Sequence, residues 1–207
     1  MIGIAAVVIA GGVLLFKSDP GPTLNLPADP GKLVRDSSHM TGDKAAKVTL
    51  VEFGDYECPF CASLNPTIEQ IVTNYVTDKN FNFVFRNFPL SQHQNAKIAA
   101  EAAEAAGAQG KFWEMNKKIY ASQNDWSGQQ QPLETFVNYA KALNLDTAKF
   151  RDEVQHNTYD TQIETDLNDG NALNVNGTPT LYLNGQLIQA TSDYNNLKSE
   201  IDALLKK

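Results

Sequence analysis

The two cysteines of this chain, Cys58 and Cys61, are its only ones, and they sit where a strand-like run gives way to a helix-like one. Val48 to Phe53 is a compact apolar run rich in β-branched residues, the pattern of a strand covered on both faces. Beyond a short turn comes Cys58-Pro59-Phe60-Cys61, and then an amphipathic stretch to about Thr77 with Leu64, Ile68, Ile71, Val72 and Tyr75 on one stripe. Pro59 suits a first helical position, where its missing N–H costs nothing. Cys58 is thereby placed at the N-cap, where free backbone N–H groups and the helix dipole favour a thiolate. The thiolate is the attacking species in disulfide exchange, and Cys61 lies one turn inward, in reach of Cys58. Asp55 and Glu57 work against this by adding negative charge nearby. A bridge between the two cysteines would close a tiny loop and restrain the unfolded chain only weakly, so stapling is a poor reason for the pair. Nor is there a second pair to complete a four-cysteine zinc site. The spacing points to redox chemistry with no cofactor and no metal.

The rest of the body alternates strand and helix. Phe81, Phe83 and Phe85 alternate with Asn82, Val84 and Arg86, as in a strand. From about Ala96 to Ala172 the chain reads as several helices, including alanine-rich Ala99 to Ala108 and a segment opened by Pro132. Thr180–Leu183 and Gln186–Ile188 flank Asn184-Gly185, the strongest hairpin signal present. A last helix is expected from Tyr194 to Leu205. The acidic net charge of -7 argues against a nucleic-acid binder, which would show a basic face.

Met1 to Phe16 carries no charged side chain before Lys17 and would span about 24 Å as a helix. That suits a short membrane anchor over residues 1–17, left uncleaved because no small-residue cleavage signature precedes Lys17; a secreted form after cleavage is the alternative. No Lys or Arg precedes the run to support an outward orientation. Residues 18–42, with Pro20, Pro22, Pro27 and Pro30, read as a semi-extended spacer that cannot be helical.

Two further features matter. Glu52 shares a strand face with Val48 and Leu50, where an acid is costly and has a raised pKa unless paired. It is either a proton donor and acceptor for Cys61 or a strand-end carboxylate reaching water. Gly177-Thr178-Pro179-Thr180 leads into the hairpin, and proline entering a strand usually marks an edge.

Together, Val48 to Phe53, Cys58-Pro59-Phe60-Cys61, Gly177-Thr178-Pro179-Thr180-Leu181 and Phe112-Trp113-Glu114-Met115 resemble the DsbA-like branch of the thioredoxin superfamily. The resemblance implies an α/β thioredoxin fold over residues 43–207, its mixed sheet flanked by helices and interrupted by a helical insertion at about 92–172. It implies that Cys58 is the exposed nucleophile and Cys61 the buried resolving thiol. Pro179 would be cis and face the pair, Thr178 would offer its backbone to an extended substrate, and Glu52 would match the family's buried acid. Pro59 and Phe60 would line the substrate surface. In one departure, Phe60 stands where strong oxidants of this family carry histidine, and it cannot donate a hydrogen bond or charge to the thiolate.

The function so implied is a membrane-tethered, extracytoplasmic, monomeric dithiol oxidase. Its partners would be exported polypeptides with cysteines and a quinone-linked membrane protein that reoxidises it. A reductase or isomerase, and an anchored binding or chaperone module without turnover, are the competing readings.

Overall fold

The structure, a computed structural model, describes residues 28–206. The anchor expected over residues 1–17 lies outside them. Among the described residues the strands are β1 (His39–Gly42), β2 (Val48–Gly54), β3 (Phe81–Asn87), β4 (Thr180–Leu183) and β5 (Gln186–Ile188). They form one mixed sheet in the order β1-β3-β2-β4-β5, in which only β2 and β3 run parallel. The crossover between them is α2 (Pro59–Tyr75), which satisfies the need of parallel strands for a long connection. Asn184 and Gly185 have φ of 48° and 80°, the positive values a tight two-residue hairpin requires.

The period of two along β2 assigns its side chains to two cores. Val48 and Leu50 join Cys61, Leu64, Ile68 and Ile71 of α2, and Leu197 and Ile201 of the last helix, α9 (Tyr194–Leu205). Val51 and Phe53 pack on the other face with Leu33, Val84, Phe88 and Tyr182. Each such side chain, fully buried, contributes about 1.5–3 kcal/mol.

Between β3 and β4 lie α3 (Ala96–Gly107), α4 (Phe112–Ala121), α5 (Gln123–Trp126), α6 (Leu133–Ala142), α7 (Thr147–Gln155) and α8 (Asp160–Ala172). The buried alanines of α3, among them Ala99, Ala102, Ala103 and Ala106, make it a slim central helix with little side chain to accommodate. Trp126 is fully buried and donates its indole N–H to the carbonyl of Ile119 at 3.0 Å.

The described part of the expected spacer departs from the proline reading. Residues 28–42 belong to the domain: Pro30–Leu33 forms α1 and His39–Gly42 is the sheet's edge strand. Pro30 stands at a first helical position, capped by the Asp29 carboxylate on Gly31 N–H, so it starts a helix instead of breaking one. The tertiary cause is Arg86. Every residue of β3 is buried, and the Arg86 guanidinium reaches the carbonyls of Lys32 and Leu33 at 2.6 and 3.0 Å. It also donates to Asp166 at 2.7 Å and Asp169 at 2.6 Å, tying α1, β3 and α8 together.

Candidate active site

β2 delivers the chain to the site. A Cβ on Gly54 would lie 2.6 Å from the Phe85 ring and 2.9 Å from the Tyr120 hydroxyl, so no larger residue fits there. Tyr56 follows, buried against Phe85 and Tyr120, its hydroxyl accepting from Asn116 Nδ2 at 2.9 Å. Cys58 is then the N-cap of α2 and Pro59 its first residue.

The turn is clamped by residues that the sequence reading missed. Gln123 Nε2 donates to the carbonyls of Tyr56 and Cys58 at 2.8 and 3.0 Å. Asp55 does not face the thiols as an opposing charge. Its carboxylate accepts from the N–H groups of Glu57 and Leu90 and meets His93 Nδ1 at 2.7 Å. Glu57 accepts from Asn95 N–H at 2.6 Å. Both acids are engaged with the β3–α3 connection. No spacing rule could have found Gln123 or His93, because their partners lie far away in the chain.

Both cysteines are free. Cys58 Sγ lies 3.3 Å from the carbonyl oxygen of Thr178, whose peptide bond to Pro179 is cis. The Cys58 pKa is lowered to about 5, chiefly by the hydrogen bond from the Cys61 thiol. Burial opposes this, while the Thr178 hydroxyl and the backbone N–H groups of Cys61 and Phe60 add to it. That hydroxyl is buried and makes no direct hydrogen bond to any described residue, so it acts on the thiolate from beyond contact distance. Cys61 is fully buried, and burial followed by its bond to Cys58 and the nearby Glu52 pushes its thiol far up. Glu52, only 2% exposed, is raised to about 8 by burial and then by Cys58. It does not reach water as a strand-end carboxylate.

One expectation needs correction. Cys58 is not exposed: only 3% of its surface meets solvent, because the Thr178–Pro179 turn sits over it. Of the two exposed members of the box, Pro59 and Phe60, the phenylalanine stands 74% exposed. With Ser63, Leu64, Thr178, Pro179, Ala190 and Ser192 it lines a cavity of about 310 Å³ beside the pair. The arrangement therefore brings Cys58, Cys61, Glu52, Thr178 and Pro179 together and sets an apolar surface next to them. Chemically it holds one thiol as a thiolate at neutral pH and its neighbour as a thiol.

The family described as thioredoxin has a model that matches residues 35–203. A curated relative, the Na(+)/H(+) antiporter NhaA 1 of Salinispora arenicola, is 38% identical over 164 residues, covering 79% of this chain and 23% of the antiporter. The chain spans about a quarter of the length of the curated relatives it matches. Among solved structures, oxidised BdbD from Bacillus subtilis superposes with a TM-score of 0.75 at 26% identity, covering 87% of this chain and 97% of that one. DsbA2 of Pseudomonas aeruginosa gives a TM-score of 0.62 at 26% identity, covering 84% and 98%. No helix among the described residues is long and apolar enough to cross a membrane.

Proposed function

The chain belongs to the thioredoxin family, in its DsbA-like branch, and from that premise we propose that it works outside the cytoplasm as a dithiol oxidase. It is a protein thiol–disulfide oxidoreductase. The direction of transfer rests on the place of Cys58 at the N-cap of α2, where the Cys61 thiol and the backbone N–H groups of Cys61 and Phe60 hold its pKa down to about 5. That value lies between the ~7 of thioredoxin and the ~3.5 of DsbA. A stabilised thiolate stabilises the reduced protein, which makes the disulfide form the stronger oxidant.

In the forward reaction a substrate thiolate attacks Cys58 Sγ of the Cys58–Cys61 disulfide. A mixed disulfide forms on Cys58, and Cys61 leaves and takes a proton from Glu52. A second substrate thiolate attacks the substrate sulfur of the mixed disulfide and expels Cys58 as a thiolate. The substrate leaves with a disulfide, having given two electrons to the pair. Phe60, Pro59, Thr178 and Pro179 form the surface that holds the extended polypeptide. Exported polypeptides with cysteines are the proposed substrates, and a quinone-linked membrane protein is the proposed acceptor of the two electrons. An anchor at residues 1–17 would hold the domain on the extracytoplasmic face of the membrane, near that acceptor.

Equilibration against glutathione tests the direction. A potential well above the thioredoxin value of about -270 mV is expected. A potential at or below it would reverse the assignment to reductase. Cys61→Ala should accumulate mixed disulfides through Cys58 in cells, and an absence of such adducts would remove the polypeptide-oxidase reading.

A further inference from the structure

On a different face of α2 from the Phe60–Pro179 groove, and sharing no residue with it, a second cavity of about 270 Å³ opens between α2, α4 and the sheet. Its walls are Ile68 and Val72 of α2, Phe83 and Phe85 of β3, and Trp113 of α4. Asn65 and Asn116 line it as well, and across its mouth Lys117 of α4 meets Glu69 of α2 at 2.5 Å. That volume is at the low end for small-molecule sites.

Glu52 lines the cavity from β2. The residue is only 2% exposed, and its carboxyl is not among the side-chain oxygens sealed away without a partner, in keeping with its place on the cavity wall. A carboxyl on an apolar cavity wall is costly to ionise unless a cation meets it there. Lys117, the one cation among the lining residues, is engaged by Glu69, so Glu52 is left without a counter-ion. Around Glu52 the other titratable groups are Cys58 and Cys61 at the head of α2, Tyr56 in the turn and Tyr120 on α4, none of them cationic. β3 contributes only the Phe83 and Phe85 rings to the cavity. An unpaired carboxyl behind three aromatic rings is a setting for an ammonium group, which the acid attracts by charge and the ring faces by their quadrupoles.

We propose that this cavity binds a small arylalkyl amine, its ammonium paired with Glu52 and its ring against Trp113 and Phe83. A carboxylate ligand would meet Glu52 as a like charge, and a neutral aromatic molecule would leave the carboxyl unpaired. The ammonium binds the ionised acid, so affinity rises with pH while the amine keeps its own proton. Glu52 ionises at about 8, so binding at pH 9 should be roughly tenfold tighter than at pH 7.

Titration calorimetry of the full chain with phenethylamine tests this independently of any redox activity. Expected are saturable one-to-one binding, the roughly tenfold tightening from pH 7 to pH 9, and at least tenfold weaker binding of 2-phenylethanol. Glu52→Gln, which keeps the shape of the side chain, should weaken phenethylamine at least tenfold, and Val72→Trp should block it by filling the cavity. Absence of saturable binding at millimolar amine, equal binding of the alcohol, or affinity independent of pH would each overturn the proposal. The pH and alcohol comparisons use the unaltered protein, so they hold even if a variant fails to fold.

Discussion

Cys58 Sγ and the Thr178 carbonyl oxygen lie 3.3 Å apart, although 120 residues separate them in the chain. Thr178 therefore acts on Cys58 through two groups, of which only the carbonyl is in contact. Its carbonyl accepts from the neutral thiol, and its hydroxyl favours the thiolate. The larger influence comes from Cys61, whose thiol donates to Cys58.

If the Cys61 bond dominates, the pH dependence of Cys58 alkylation in the reduced protein should have its midpoint near 5. Replacing Cys61 by Ala should move that midpoint upward by about one unit or more, whereas Cys61→Ser, which retains a donor, should move it less. Iodoacetamide rates or thiolate absorbance follow both, and equal midpoints in the two variants would contradict the assignment.

Glu52 predicts the sign of a stability change. Its folded pKa of about 8 is above the ordinary 4.5, so the unfolded chain releases this proton first as pH rises. The folded state accordingly loses stability from Glu52 between pH 4.5 and 8. Glu52→Gln should stabilise the protein by about 3 kcal/mol at pH 7 and by almost nothing from this source at pH 4. Urea unfolding at the two pH values measures the difference.

Phe60 is 74% exposed beside the pair and lends it no charge. Phe60→His should lower the Cys58 pKa further and raise the reduction potential, by about 30 mV for each unit of pKa. Phe60→Ala should leave the potential almost unchanged but raise KM for a polypeptide substrate, since it removes apolar surface from the groove.

Gln123 bonds to the carbonyls of Tyr56 and Cys58 at 2.8 and 3.0 Å. Gln123→Ala should cost about 1–3 kcal/mol of stability and slow Cys58 exchange. Faster hydrogen exchange confined to residues 55–60 would confirm that the loss is local.

Arg86 is fully buried between Asp166 and Asp169. Arg86→Leu should destabilise by about 3–5 kcal/mol, because it leaves the buried Asp166 carboxylate without its counter-ion while Asp169 keeps Arg35. Adding Asp166→Leu should recover part of that loss. Thermal unfolding of the single and double variants gives the coupling.

Much of this protein is legible in local sequence. β2, α2 and the hairpin at Asn184-Gly185 stand where period, proline placement and turn chemistry put them. Pro66 also falls inside α2, where it has no N–H to offer the carbonyl of Ala62. The same local reasoning failed at Pro30, because composition does not say whether a proline opens a helix or interrupts one. It also gave Asp55 and Glu57 to the thiols, when backbone N–H groups of the following connection had already engaged them.

The chain by itself determined the strand, the Cys58 N-cap and the one-turn spacing to Cys61, since each depends on atoms only a few bonds or one helical turn apart. Tertiary structure decided the rest. The depth of Cys61 and Glu52, the covering of Cys58 by Thr178 and the Gln123 clamp come from segments brought together by burial of apolar surface. Burial pushes the Cys61 thiol far up, and hydrogen bonds hold Cys58 at about 5 against the same burial. The cost of an ion in a dry interior depends on everything packed around it, and no stretch of sequence contains that information.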